Sequence, residues 1–335
     1  MLEITTAGQR AQMQPAVNIA LFGPTGIGKT FQAKSLDPEK TLFMDLEAGA
    51  LAIQDWPGDI INMREQADKL GVHPWELTRA ITCILCGPDL TDAKGPYGRA
   101  AYDQYVSTLG DRSMFDKYDT IFVDSITVAS RWSFDYTRQH DPEAFSDKTG
   151  KPDTRGAYGA HGRGVVTWLT HLQQQSKRMD GSGKSVVVVG IMDERKDDIG
   201  RITYEPQIVG SMAGRELPGI FDEVISMIAM PDQDQNMHRT MVCHKMNQLG
   251  LPAKDRSGRL EMYEPANLAE IMAKIQTQPR QDTDFDQSMP AAPDQSGQEM
   301  AAAAFQPAPA SPQPEHHQAA QPHVGTGQNT PEAHG

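Results

Sequence analysis

The sequence has few of the features that mark secreted or membrane proteins. Three cysteines among 335 residues are too few for a disulfide framework. The longest nearly continuous apolar run, Val186 to Met192, is far shorter than the ~20 residues of a membrane-spanning helix. The polar start, MLEITTAGQR, has no apolar signal-peptide core. We therefore expect a cytoplasmic protein with no membrane partner and with one or two domains.

Zinc ligands and positive charge are also scarce. Cys83 and Cys86 form one C-x-x-C pair, but no second ligand pair stands at zinc-binding spacing, so we interpret them as reduced thiols on a helix. The chain has 31 Lys and Arg residues against 44 Asp and Glu, a net charge of −13. This balance argues against a protein that coats nucleic acid by bulk electrostatics alone, but it permits local basic loops.

The composition changes at residue 278. Residues 278–335 contain 11 Ala, 10 Gln and 9 Pro, and Phe285, Phe305 and Val324 are almost their only large aliphatic or aromatic side chains. Such a segment cannot bury enough apolar surface to offset its chain entropy, so we expect a disordered, acidic tail. The stretch Asp282 to Asp286 would suit docking on a basic groove of a single-strand-binding or replication protein. A solubilising tail with no partner is the alternative.

The rest of the chain alternates between apolar runs and helical patterns. Strands are predicted over residues 17–22, 41–46, 121–123, 185–191, 222–230 and 239–245. Helical patterns fall between the earlier strands, with the clearest at Val165 to Met179, and a final helix is predicted over residues 267–275. This order predicts an α/β domain over residues 17–277, with a mostly parallel central sheet flanked by helices and an extension of residues 1–16 before it.

A glycine-rich turn after the first strand matches the phosphate-binding pattern G-x-x-x-x-G-K-[ST]. It consists of Gly23, Pro24, Thr25, Gly26, Ile27, Gly28, Lys29 and Thr30. Its position between a strand and a helix is the context that the motif requires, because N–H groups at a helix N-terminus can converge on phosphate oxygens. Lys29 would neutralise the β- and γ-phosphates, and the Thr30 hydroxyl would hold Mg²⁺. We therefore predict a site for ATP and Mg²⁺, with adenine as the default base.

Hydrolysis needs a further carboxylate on the metal side. Asp124 ends an apolar strand and supplies it. The next residue, Ser125, is not the glutamate that many motor ATPases use at this place, so the base must come from elsewhere. Glu47 is the candidate, because it follows a strand whose end can face the γ-phosphate. The alternative is that Glu47 caps a helix beginning near Ala48.

These residues resemble the RecA-like ATPases. Members of that family place the catalytic glutamate after a strand like the one before Glu47, and they end the metal-binding strand in Asp-Ser, as Asp124 and Ser125 do. More closely, the chain is similar to compact phage-encoded RecA-like proteins, some of which act in single-strand annealing and recombination. The similarity extends over Leu217 to Glu223 and covers roughly Asn18 to Ile275. It implies an ATPase that acts on single-stranded DNA in phage recombination or replication.

The chain departs from the family at several places. Asp193 stands where the family has a glutamine that senses the γ-phosphate, and an acid there would repel phosphates unless a metal, a water or a proton intervened. The polymerisation element and the basic domain found at the ends of RecA are not recognised, so the resemblance does not imply a filament, while a homo-oligomer remains open. Arg195, Lys196 and Arg215 are candidates to reach a neighbouring subunit's γ-phosphate.

Two loops line the DNA path in RecA-like proteins. The first candidate, His140 to Gly164, is rich in glycine and carries the basic and aromatic residues Lys148, Lys151, Arg155, Tyr158, His161 and Arg163. Such side chains on a flexible loop suit stacking and backbone contact with a single strand. The second, Asp193 to Leu217, has four basic and six acidic residues and is ambivalent. Solvated surface without nucleic acid is the alternative for both loops.

Two classes of function therefore remain open. The first is an ATPase that binds or anneals single-stranded DNA, and the second is a nucleotide-dependent switch or loader that acts through a protein partner. A small-molecule kinase is less favoured because no arginine-rich lid is found. A GTPase is less favoured because the guanine-reading Asn-Lys-x-Asp pattern does not occur in the sequence.

Overall fold

The computed structural model describes residues 4–12, 15–92, 94–146, 149–178, 182–196, 200, 202–232 and 234–277. Lys148 and the predicted tail, residues 278–335, lie outside them. The strands are β1 Asn18–Gly23, β2 Thr41–Asp45, β3 Asp59–Asn62, β4 Thr120–Asp124, β5 Ser185–Lys196, β6 Ile202–Pro206, β7 Glu223–Pro231, β8 Met237–Val242, β9 Lys254–Asp255 and β10 Tyr263–Pro265. The α-helices are α1 Ala7–Gln12, α2 Met63–Leu70, α3 Pro74–Cys86, α4 Arg99–Leu109, α5 Ile126–His140, α6 Thr154–Ser176, α7 Met212–Ile220 and α8 Leu268–Gln276. Short 3₁₀-helices span Thr30–Ser35, Ala50–Ile53, Arg112–Phe115 and Pro142–Ala144.

The strands form one sheet in the order β10-β8-β7-β1-β5-β4-β2-β3, with β6 paired to β5 and β9 paired to β7. The six strands from β7 to β3 in this order run parallel to one another, and β8 pairs antiparallel with both β7 and β10. The predicted α/β fold with a mostly parallel sheet is therefore confirmed. Because β1, β2 and β4 are parallel, their carboxyl ends meet at the same edge of the sheet, where ligands bind in folds of this kind.

The centre of the sheet is fully buried. Strands β1 and β4 are buried along their whole length, and the valines at residues 186–189 of β5 have no exposed surface. Phe43 of β2 stacks on Phe122 of β4 with 5.0 Å between ring centroids. Burial on both faces explains why these strands are continuous apolar runs and do not alternate with polar residues. Cys83 and Cys86 lie on α3 as predicted, and both are buried free thiols.

Helix α6 differs from the prediction. It begins at Thr154, well before Val165, so the second part of the predicted glycine-rich loop, residues 154–164, is helical. Its glycines give space to neighbouring backbone: a Cβ at Gly156 would lie 1.9 Å from the carbonyl oxygen of Glu143, and one at Gly162 would lie 3.0 Å from Met212 of α7. The prediction of a flexible loop over His140 to Gly164 was therefore wrong from Thr154 onward, because glycine serves close helix packing there.

Most of the described residues of the second predicted loop, Asp193 to Leu217, also lie in regular elements. Strand β5 continues past Ile191 to Lys196 and pairs antiparallel with β6, and α7 follows. After the phosphate-binding motif, the predicted helix is a 3₁₀-helix of six residues. No helix among the described residues is long and apolar enough to cross a membrane. The cytoplasmic location stays a prediction.

Candidate functional site

The glycine-rich loop begins at the carboxyl end of β1. Gly26 and Gly28 adopt positive φ angles of 79° and 101°, which other residues reach only with strain. A side chain at Gly23 is excluded because its Cβ would lie 2.5 Å from the carbonyl oxygen of Met227. Lys29 folds back over the loop, and its Nζ donates hydrogen bonds to the carbonyl oxygens of Gly23 at 3.0 Å and Pro24 at 2.9 Å. Burial lowers the pKa of Lys29, although Asp124 and Glu47 partly restore it.

Thr30 and Asp124 come from different elements and meet at the carboxyl edge of the sheet. The Thr30 hydroxyl donates a hydrogen bond of 2.5 Å to Oδ2 of Asp124. Asp124 is 3% exposed, and its burial raises its pKa to about 7, while the Thr30 hydrogen bond opposes this and the carboxylates of Glu47 and Asp45 add to it. The Asp124 carboxylate is buried and lacks a full counter-charge, and the Thr30 hydroxyl lies beside it. Together they offer two oxygen ligands of the kind that Mg²⁺ prefers. These residues therefore fit the predicted metal position.

Glu47 is held against the end of β4. The backbone N–H groups of Leu46 and Glu47 both donate to the carbonyl oxygen of Asp124, at 2.6 and 3.2 Å. The hydroxyl of Ser125 donates to Oε1 of Glu47, and the peptide bond between Asp124 and Ser125 is cis. Ser125 is buried, whereas Glu47 is exposed. The candidate base is thus fixed at one oxygen and open to solvent.

The alternative role of Glu47 as a helix cap is wrong. The short 3₁₀-helix after it starts at Ala50, and its N-cap is Gly49, without a side-chain cap. The turn is instead held by Asp45, whose Oδ1 accepts a hydrogen bond of 3.1 Å from the N–H of Gly49. Burial raises the pKa of Asp45, and hydrogen bonds from the backbone of this turn oppose the rise.

Sequence reasoning missed two contributors to the site, Ser125 and Asp45. Ser125 follows Asp124 at the end of β4, and Asp45 ends β2 two residues before Glu47; the two strands pair in register at Asp124 and Asp45. Parallel pairing was predictable in general, but the hydrogen bond from Ser125 to Glu47 depends on the local backbone after each strand. Adjacency to a strand-end carboxylate was the only available signal.

The candidate DNA-contacting residues lie on and before α6. Lys151 is exposed in the short connection before the helix, whereas Arg155, Tyr158 and Arg163 lie on its first turns. Arg163 is paired with Glu143. Lys148 lies outside the described residues.

An aromatic and cationic cluster is formed by Tyr158 of α6 with Phe134 and Arg138 of α5. Tyr158 is 44% exposed and stacks on Phe134 with 4.7 Å between ring centroids. The Arg138 guanidinium carbon lies 5.8 Å from the Phe134 centroid on this cluster. His161, also named among the loop residues, is fully buried and bonds to Ser133 and to the carbonyl oxygen of Val209. It therefore packs in the interior beneath this cluster and is not exposed to a ligand.

The candidate sensor and trans-acting residues are spread over the β5–β6 hairpin and α7. Oδ1 of Asp193 accepts a hydrogen bond of 2.9 Å from Gln207. Arg195 pairs with Glu205 at 3.1 Å, and Lys196 is exposed at the end of β5. Arg215 bonds to Ser211 within its own helix. The structure places none of these four described side chains in hydrogen-bond contact with the glycine-rich loop, and their roles stay predictions.

Comparison with known proteins gives the family. Residues 16–257 match the family described as an AAA domain. The chain belongs to this AAA-domain family. The match covers the glycine-rich loop, Glu47 and Asp124, and it confirms the resemblance to RecA-like P-loop ATPases. The AAA-domain protein is therefore an ATPase of this class.

Solved structures and curated proteins were also compared with the chain. One similar solved structure is titled "Crystal structure of the RadB recombinase"; it is 15% identical, with coverage of 68% of this chain and 80% of that one, at a TM-score of 0.30. No match was found among curated proteins.

Proposed function

We propose that this AAA-domain protein binds ATP with Mg²⁺ and hydrolyses the γ-phosphate bond. The observation that supports this most is the meeting of the glycine-rich loop, the Thr30–Asp124 pair and the Ser125–Glu47 pair at one edge of the sheet. Lys29 and the loop N–H groups bind the phosphates, and Thr30 and Asp124 hold the metal. Bound Mg²⁺ would supply positive charge that stabilises the charge developing on the phosphates.

In this proposal Glu47 orients the attacking water. Its carboxylate is exposed, so a water can reach it, and the Ser125 hydroxyl fixes one of its oxygens. A base held in one geometry loses less entropy when it aligns the nucleophile. Ser125 is therefore a positioning residue, and Glu47 is the catalytic one.

We further propose that single-stranded DNA is the macromolecule on which the protein acts, in annealing or strand handling during phage recombination or replication. The cluster of Tyr158, Phe134 and Arg138 favours this function, because bases stack on exposed aromatic rings and a nearby guanidinium contacts the backbone. Lys151 and Arg155 lie exposed on the same segment and would add phosphate contacts.

The test is steady-state ATP hydrolysis with and without single-stranded DNA, at low and moderate salt. Stimulation by DNA that weakens as salt rises would support both proposals, because phosphate contacts release counterions. Turnover without stimulation, and without DNA binding in either nucleotide state, would reject the DNA role and favour a switch that acts through a protein partner. Absence of any turnover would reject hydrolysis.

A further inference from the structure

The β7–β8 hairpin extends past the carboxyl end of β1, where the glycine-rich loop begins. The register between β1 and β7 ends at Phe22 opposite Ser226, yet β7 continues to Pro231. Strand β8 returns antiparallel to it and places Arg239 opposite Ala229, in the extended part of the hairpin. The backbone therefore brings a cationic side chain from a distant part of the sequence alongside the loop.

Arg239 lies directly against the phosphate-binding loop. A Cβ at Gly28 would lie 3.1 Å from both Cζ and Nε of Arg239, so the guanidinium packs closely on the Gly28 backbone. The same guanidinium carbon lies 5.7 Å from the ring centroid of Phe31, the residue that follows Thr30. Phe31 is 44% exposed, so its ring is open to solvent beside Arg239.

The charge of Arg239 has no counter-ion in the part of the chain that the structure describes. It is exposed, and no carboxylate among the described residues forms an ion pair with it. The other cation beside Phe31, Lys34, is already paired with Asp55. An arginine held over a glycine of a phosphate-binding loop, with an aromatic ring beside it and no ion-pair partner among the described residues, is arranged to receive an anionic ligand.

We propose that Arg239 binds the α- and β-phosphates of the nucleotide from within the same chain, and that the Phe31 ring holds its guanidinium in place. This inference rests on the proposed function. The α- and β-phosphates are chosen because the backbone around Gly28 cradles them, whereas Lys29 reaches toward the γ-phosphate. A planar guanidinium can contact two phosphate oxygens at once, which a lysine cannot.

The test is calorimetric titration of the full chain with ATP and, separately, with ADP, both with Mg²⁺. Arg239→Gln is expected to weaken the binding of both nucleotides by a similar factor, about tenfold to a hundredfold, as for a lost charge-assisted hydrogen bond. Arg239→Lys should recover part of the loss, and Phe31→Leu should weaken both nucleotides by about threefold to tenfold, as for a lost cation–π contact.

Arg99→Gln is the control, because Arg99 is another exposed arginine, on α4, that pairs with Asp103. It should bind both nucleotides as the unmodified chain does, and thermal unfolding should show that each variant is folded. Unchanged ADP affinity in Arg239→Gln would overturn the inference, whether or not ATP binding is affected. Lys29→Ala separates the two proposals: if it alone loses nucleotide, only the inference fails, and if the unmodified chain binds no nucleotide, the proposed function fails as well.

Discussion

The hydroxyl of Ser125 donates a hydrogen bond to the carboxylate of Glu47 and so connects the ends of β4 and β2. The residue after the metal-side aspartate thus contributes to the site although it is not itself an acid. Glu47 is exposed to solvent, where a water can reach it, and Ser125 is buried behind it. Glu47 and Ser125 should therefore affect turnover to different extents.

Removal of the Ser125 hydroxyl should slow turnover without affecting ATP binding. Glu47→Gln is expected to lower kcat by at least about a hundredfold, because it removes the base. Ser125→Ala should lower kcat by about tenfold, since the base remains but is less well held. Steady-state hydrolysis and ATP titration check both, with Ser107→Ala on α4 as the control. Normal turnover in Glu47→Gln would assign the base to another acid.

Loss of the phosphate contacts should abolish nucleotide binding, and loss of the metal ligand should reduce its dependence on Mg²⁺. Lys29→Ala is expected to eliminate nucleotide-dependent activity while the fold is retained, because among the described residues the Lys29 amine donates only to the loop carbonyl oxygens of Gly23 and Pro24. Asp124→Asn should reduce the Mg²⁺ dependence of ATP binding, because it removes the charged ligand beside Thr30. ATP titrations with and without Mg²⁺ measure both effects. Binding by Lys29→Ala at the level of the unmodified chain would refute the site.

How much the sequence reveals differs between these features. The glycine-rich loop was predictable because positive φ at Gly26 and Gly28 requires glycine, and the motif has few other uses. Asp124 was predictable because it ends an apolar strand. In contrast, Arg239 reaches the loop only through the length and register of a hairpin, which the pattern of apolar residues does not specify.

For the first part of helix α6, the sequence predicts a loop where the structure has a helix. Its glycines resembled loop residues because glycine disfavours helices by about 1 kcal/mol relative to alanine. At Gly156, however, the helix requires glycine, because any Cβ would collide with the backbone of Glu143. Tertiary packing therefore overrides local propensity at a place where the sequence alone gives no partner for the helix.

The aromatic cluster should contribute to the binding of single-stranded DNA. Tyr158→Ala should weaken binding of single-stranded DNA by about fivefold to a hundredfold, because base stacking on an aromatic ring is lost. Arg138→Gln should reduce both the affinity and its dependence on salt. Tyr263→Ala is the control, since Tyr263 is 37% exposed on β10 and belongs to no such cluster among the described residues. Fluorescence anisotropy with a labelled oligonucleotide, repeated across salt concentrations, checks these effects. An equal loss of DNA affinity in Tyr263→Ala would exclude specific base stacking on the cluster of Tyr158, Phe134 and Arg138.

The glycines of α6 should respond oppositely to alanine. Gly156→Ala is expected to destabilise the fold by about 1–3 kcal/mol, because its Cβ would lie 1.9 Å from the Glu143 carbonyl oxygen. Gly159→Ala meets only the end of the Arg163 side chain at 3.4 Å, so it should stabilise the helix by up to about 1 kcal/mol. Urea unfolding of the two variants measures both. Stabilisation by both would mean that α6 does not pack closely at Gly156.

A buried carboxyl pair makes stability depend on pH. Glu223 is 1% exposed, and burial together with the neighbouring Asp255 raises its pKa to about 8. The N–H groups of Arg256 and Ser257 donate to it at 3.1 Å and moderate the rise. The pKa of Asp255 is lowered, so Asp255 stays charged while Glu223 holds the proton.

The sign of the effect follows from these shifts. A carboxyl whose pKa is higher in the folded state than in the unfolded chain stabilises the fold most below its unfolded value, and this contribution is lost as pH rises toward the folded value. For Glu223 the window runs from its ordinary 4.5 to about 8. The free energy of unfolding should therefore fall across this window, by at most about 1.4 kcal/mol per pH unit from this group. Glu223→Gln keeps a hydrogen-bonding amide but cannot titrate, so its stability should vary less with pH. Urea unfolding at several pH values between 5 and about 8 compares the two chains. Identical slopes would show that Glu223 is charged throughout.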